Sequence, residues 1–258
     1  MNVHNSEMGS AVESEVSTGL IGAVVCKKAS LRPERTTLQG RFVQLAPLDV
    51  KAHLASLLAV TQQSESLWRY LPYGPFPNVA SFEADIEQKA GCEDPLFFAI
   101  VDQATRQAVG HAAFLRITPE HLSIEVGHIL YAPILQRTAG ATEAMYLMAK
   151  YAFDVLGYRR YEWKCNALNA ASRKAALRLG FVFEGLFRQH MIVKGRNRDT
   201  AWFSMLDSEW PARRSAFESW LEPSNFDSAG QQRAPLLTFA ERQASVRPTP
   251  TDPHCRVR

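Results

Sequence analysis

The chain is short of cysteine, of long apolar runs and of net charge, and each shortage removes a class of protein. Cysteines stand only at positions 26, 92, 165 and 255, with no C-x-x-C pair and no histidines beside them at metal spacing. That pattern supports neither a disulfide framework nor a zinc site; no metal is expected, and reduced thiols in a cytoplasmic protein fit it. The apolar run Leu20 to Cys26 is too short to cross a bilayer, and Lys27-Lys28 follow it where an export signal would carry positive charge in front. No membrane association is therefore expected. Lys and Arg total 29 against 26 Asp and Glu, a formal charge of +3, and the basic residues are scattered. So mild a balance does not call for a nucleic-acid partner. No self-similar period marks a repeat array.

With 258 residues and 46% hydrophobic content, the sequence can bury one good core. Residues 1–34 lack helical or strand periodicity, and residues 223–258 carry Pro223, Pro235, Pro248, Pro250 and Pro253. Both ends are expected to be flexible tails around a domain over 35–222, with the apolar patch Leu236-Leu237-x-Phe239 arguing for a packed extension instead. Within the domain, strands are expected at Gly40 to Leu45, Leu96 to Asp102, Val109 to Ile117, Leu122 to Tyr131, Arg160 to Cys165, Phe181 to Gln189 and Asp199 to Leu206. Helices are expected near Val50 to Gln62, Val79 to Gly91, Gly140 to Leu156, Asn169 to Leu179 and Glu209 to Leu221. The helix from Gly140 places Ala144, Met145, Met148, Ala152 and Val155 on one stripe and Glu143, Lys150 and Asp154 on the other face. The order predicts an α/β fold with a mixed sheet whose middle is open to a ligand. The aromatic stretch from Leu67 to Pro77 reads as a loop whose rings Trp68, Tyr70 and Tyr73 either line a pocket or pack beneath it.

The most informative segment is Gln136-Arg137-Thr138-Ala139-Gly140-Ala141-Thr142, between a strand and the amphipathic helix. Small residues there let backbone N–H groups approach a pyrophosphate, which the helix N-terminus also favours. The segment resembles the cofactor loop of the GNAT superfamily, Q/R-x-x-G-x-G/A, with Gln136, Ala139 and Ala141 at the patterned positions. One departure is that alanine stands at 139 where the pattern has its first glycine, with Gly140 displaced by one. A second signature, Asn169-x-x-Ser172 through Leu179-Gly180-Phe181, Glu184-Gly185 and Gly195-x-x-x-Asp199, is similar to the Rim branch, whose members acetylate ribosomal-protein N-termini and small molecules.

The resemblance implies a mostly antiparallel, splayed central sheet flanked by helices, with acetyl-CoA as co-substrate. It implies cofactor contacts at Ile129, Leu130 and Tyr131, along the loop from Gln136 to Thr142, and at Asn169 and Ser172. The acceptor would be a small-molecule amine or a peptide N-terminus, and the protein a monomer or homodimer. Direct transfer requires a neutral amine, and an alkylamine of pKa near 10.4 costs roughly 4 to 5 kcal/mol to deprotonate at neutral pH. Glu125, Glu162, His111, His128 and His190 are candidate proton acceptors. The position where some relatives carry a carboxylate is Met191, which leaves His190 and Glu125 preferred; strand alternation puts Glu125 and Gly127 on one face and His128 on the other. The tyrosine that many relatives use for the leaving thiolate is Ala176 here, so Ser172 is the candidate donor. For each of these polar residues a structural role competes: an ion pair for Glu125, a helix-start contact for Ser172. A protein that binds acyl-CoA without turning it over is the alternative function.

Overall fold

The computed structural model describes residues 22, 24–26, 30–62 and 64–239. The body comprises β1 (Leu38–Gln39), β2 (Val43–Pro47), α1 (Val50–Thr61), α2 (Val79–Gly91), β3 (Leu96–Asp102), β4 (Ala108–Thr118), β5 (Ser123–Tyr131), α3 (Ala139–Lys150), β6 (Arg160–Asn166), α4 (Ala170–Arg178), β7 (Val182–Val193), β8 (Arg196–Leu206) and α5 (Trp210–Leu221). One sheet runs β1-β2-β3-β4-β5-β6-β8-β7, antiparallel throughout except for β5 against β6. Each face carries a core. One packs Phe98, Phe114, Ile124, Val126, Tyr161 and Phe203 under α3 and α5; the other packs Phe97, Ala99, Val101, Ala113 and Leu130 under α1 and α2.

Local chemistry starts the helices where the sequence predicts. The Asp49 carboxylate accepts from the Ala52 N–H, Asn78 and Ser81 form a reciprocal box, and Asn169 accepts from the Ser172 N–H at 3.1 Å. Helix α3 ends at Lys150 and continues as a π-helical turn over Tyr151–Val155. Its Glu143 departs from expectation. Instead of facing solvent, the carboxylate is buried and accepts the N–H groups of Arg41 (2.8 Å), Phe42 (2.6 Å) and Val43 (2.9 Å). It thereby satisfies the turn between β1 and β2, whose donors have no ladder partner.

Both domain boundaries move outward. Arg32 donates to the Ile117 carbonyl, and the Glu34 N–H donates to the Tyr151 hydroxyl, so residues 30–34 lie along the body and not in a tail. At the other end, the expected tail from residue 223 is packed as far as Phe239. Leu236 is buried, Phe226 meets Phe42 and Trp220 edge-on, and the Asn225 side chain donates to the carbonyls of Trp220 and Ala234 while accepting from the Ala234 N–H. The apolar patch at Leu236 outweighed the prolines. The rest of both predicted tails, 1–21, 23, 27–29 and 240–258, lies outside the described residues. Among the described residues no helix is long and apolar enough to cross a membrane.

Candidate active site

The parallel pair holds together for only four rungs, Ser123 to Val126 against Arg160 to Trp163. Beyond Val126 and Trp163, β5 continues to Tyr131 and β6 to Asn166 without pairing to each other. The result is a V-shaped opening in the sheet that exposes one backbone edge of each strand, the kind of edge an extended ligand can pair with.

The loop from Gln136 to α3 closes the far end of this V. Gln136 donates its side-chain amide to the Tyr131 carbonyl, the Tyr131 hydroxyl donates to the Ala141 carbonyl, and Thr138 caps α3 by accepting from the Ala141 N–H. No partner among the described residues meets the N–H groups of Arg137, Ala139 and Gly140. These donors and the positive end of α3 suit an anion such as a pyrophosphate. Ala139 costs no strain, because the left-handed backbone position falls on Arg137 (φ 63°). Gly140 serves packing: a Cβ there would lie 2.9 Å from the Val43 side chain. The Thr142 hydroxyl is buried and accepts from Arg178 of α4 at 3.0 Å, so its side chain supports the loop from inside. Arg178, brought here only by the fold, adds a cation near the helix start that no local sequence signal announced.

The face of the sheet under α1 and α2 carries the polar residues. A β-bulge in β5 sits next to the V: Gly127 is opposite Ala113, yet Leu130 is opposite His111, and His128 has φ 50°. The extra residue turns His128 onto the same face as Glu125, correcting the strict alternation expected. Its ring stacks on Tyr73 (centroids 5.7 Å apart, interplanar angle 12°) and leans on Phe97 at 5.3 Å. Burial, reinforced by Lys89, Arg116 and Arg198, lowers its pKa to about 4, so the ring is neutral at pH 7. Burial also holds His111 well below the usual histidine range, with Lys89 and His128 adding to it, and lowers Lys89 to about 8 against the counter-effect of Asp85. The Tyr73 hydroxyl, both His111 ring nitrogens, His128 Nδ1 and Trp202 Nε1 are buried without hydrogen-bond partners among the described residues.

Glu125 is committed elsewhere. Its carboxylate accepts from Arg116 at 2.6 Å and from Lys164 at 2.8 Å, and Lys164, itself buried, also reaches Glu162 at 2.6 Å. The chain of charges continues through Arg160 to Glu184, which also accepts from the Ser204 hydroxyl. On the other arm of the V, Ser172 Oγ accepts from Trp163 Nε1 at 3.0 Å, which leaves its own proton available.

The family model described as acetyltransferase (GNAT) domain matches residues 43–182. The chain belongs to the GNAT acetyltransferase family. It is 48% identical to a GCN5-related N-acetyltransferase structure from Brucella melitensis, with a TM-score of 0.82 over 84% of this chain and 99% of that one. A GNAT-family structure from Chromobacterium violaceum shares 39% identity and a TM-score of 0.70, covering 77% of this chain and 100% of that one. YoaA, an uncharacterized N-acetyltransferase of Bacillus subtilis, is 27% identical over 128 residues, 50% of this chain and 70% of YoaA.

Members of the GNAT family draw the acetyl group from acetyl-CoA, and the V with its unmet loop amides fits that molecule's pantetheine arm and diphosphate. Around this GNAT cleft the expected residues fall unevenly. Ile129, Leu130 and Tyr131 form one arm, although the Tyr131 carbonyl is taken by Gln136. Asn169 caps α4 beside Ser172. His190, on exposed β7, shares Nδ1 with the Thr200 hydroxyl at 3.0 Å. Trp68 does not line a surface: it is 4% exposed and packs edge-on against Phe76 and Phe82 beneath its loop. Tyr70 is exposed and donates to the Leu168 carbonyl, while Lys194 at the tip of the β7–β8 hairpin donates to the Trp68 carbonyl. The aromatic loop is thus tied to both neighbouring loops over the polar face. Among the described residues no group of three His, Cys, Asp or Glu is placed to hold a metal.

Proposed function

We propose that this protein transfers the acetyl group of acetyl-CoA to a primary amine, of a small molecule or of a peptide or protein N-terminus, by direct attack. The reading is carried by one juxtaposition: the V between β5 and β6 runs into a turn whose Arg137, Ala139 and Gly140 amides are unmet. Gln136 to Ala141 would hold the diphosphate, the free edge of β5 at Ile129 and Leu130 would pair with the pantetheine arm, and Asn169 would face that arm from α4. Bound acetyl-CoA supplies the activated carbonyl. Ser172, polarised by the Trp163 indole, would donate to the leaving thiolate; a hydroxyl is too weak an acid to do more than stabilise it. The acceptor would approach from the α1 and α2 face, past Tyr70 and over Tyr73. The Asn169 and Ser172 pair favours a Rim-like acceptor range.

Calorimetry with CoA and acetyl-CoA tests the cleft, and thiol release across a panel of amines, amino acids and peptides tests the transfer. No heat with either nucleotide would remove the proposal. Binding without thiol release from any amine would leave a GNAT fold that only holds acyl-CoA, the reading favoured by Ala176 and by the ion-paired Glu125.

A further inference from the structure

We propose that His128, on the β5 bulge, is the proton acceptor of the transfer, with Tyr73 and His111 as positioning residues that hold its ring. The inference rests on the acetyltransferase reading above and names a residue within it.

Three observations converge on this histidine. The first is place. Pairing between β5 and β6 stops at Val126, and His128 stands two residues beyond, at the vertex where the thioester end of a ligand in the V meets the acceptor face. The second is the backbone. A bulge with left-handed φ at a non-glycine residue is a costly way to write a strand, and here its effect is to swing this one side chain across the sheet. The third is availability. Glu125 is bound by two cations and His190 Nδ1 is shared with Thr200, whereas His128 is part-buried and neither ring nitrogen has a hydrogen-bond partner. The groups facing it are Tyr73, Lys89 of α2, His111 and Arg116 of β4, and Arg198 of β8; the cations among them keep the ring neutral and ready to accept.

The chemistry balances with a weak base. The neutral amine attacks and the C–N bond forms, so the nitrogen carries positive charge and becomes far more acidic than a free ammonium. Its proton passes to the His128 imidazole, the C–S bond breaks, and the thiolate leaves with its charge met by Ser172. The thiolate takes up a proton from water and His128 returns its own, giving N-acetyl amine and free thiol.

The test uses His128→Asn and His128→Gly, both compatible with left-handed backbone. Acetyl-CoA affinity and the melting midpoint are measured beside kcat. The expected result for His128→Asn is a fall in kcat of about 100-fold or more with acetyl-CoA affinity within about twofold of the wild type. For His128→Gly, added imidazole should restore turnover saturably, which a merely structural histidine would not allow. Turnover of His128→Asn within about threefold of wild type, or a folded, acetyl-CoA-binding His128→Gly that imidazole does not rescue, overturns the assignment while leaving the acetyltransferase reading intact. A wild-type protein that releases no thiol with any amine brings down both.

Discussion

Cys165 is the residue most easily mistaken for a nucleophile, because it lies on β6 beside the cleft. It is buried, and that burial raises its thiol pKa, against smaller opposing effects from Ser172, Arg198 and Arg173, so little thiolate exists at neutral pH. Cys165→Ser is therefore expected to keep wild-type turnover, and a loss of more than tenfold in kcat at unchanged folding would contradict direct attack. Glu143 has the opposite character: it touches no ligand and holds three backbone donors. Glu143→Ala should cost about 3 kcal/mol or more, since buried N–H groups would lose a charged acceptor, and urea denaturation is the measurement. Neither role was visible in the sequence. Helical period assigned Glu143 to a solvent face, and only the turn at Arg41 to Val43, about a hundred positions away, brings the amides that reverse the assignment.

Elements were far more legible than residues. Asn78, Thr138 and Asn169 stand before α2, α3 and α4, and their side chains mark the starts; Gly157 and Gly180, both at positive φ, mark the stops. The strands from Leu96, Ser123 and Arg160 follow from apolar, β-branched and aromatic runs. A bulge leaves no such trace, so the face of His128 could not be read by alternation, and the hairpin β7–β8 ran longer than its composition suggested. The phosphate loop was recognised by its small residues, yet their work divides differently: Arg137 takes the unusual backbone and Gly140 the tight packing on β2. Gly140→Ala should destabilise the protein by about 1 to 3 kcal/mol through overpacking against Val43, and should weaken CoA binding by tilting the first turn of α3. Unchanged melting with unchanged affinity would show that this turn has room the geometry does not reveal.

At the scale of the whole molecule, two acid transitions and one added layer set stability. His128 has its folded pKa lowered to about 4 from an unfolded value near 6.5, so the unfolded chain binds the extra proton and stability falls as pH drops through that interval. Glu184, drawn down to about 2 chiefly by its hydrogen bonds to Arg160, contributes stability above the unfolded carboxylate pKa near 4.3 that is lost as pH falls toward 2. Urea midpoints measured across pH should decline in both windows, and His128→Asn should flatten only the upper one. The C-terminal segment from Pro223 to Phe239 covers Phe42 and Trp220 and buries Leu236. Ending the chain at Glu222 should cost about 3 to 5 kcal/mol from the apolar surface uncovered, read as a lower denaturation midpoint.

The four-rung limit on the parallel ladder has a mechanical consequence. A sheet severed halfway along its central seam can breathe, its two halves rocking about Val126 and Trp163 as about a hinge pin. Any molecule that knits the seam by lending its own amides acts as a splice, and amide exchange at Ile129 and Leu130 should slow when acetyl-CoA is added. The guest would then be counted among the structural members of its host.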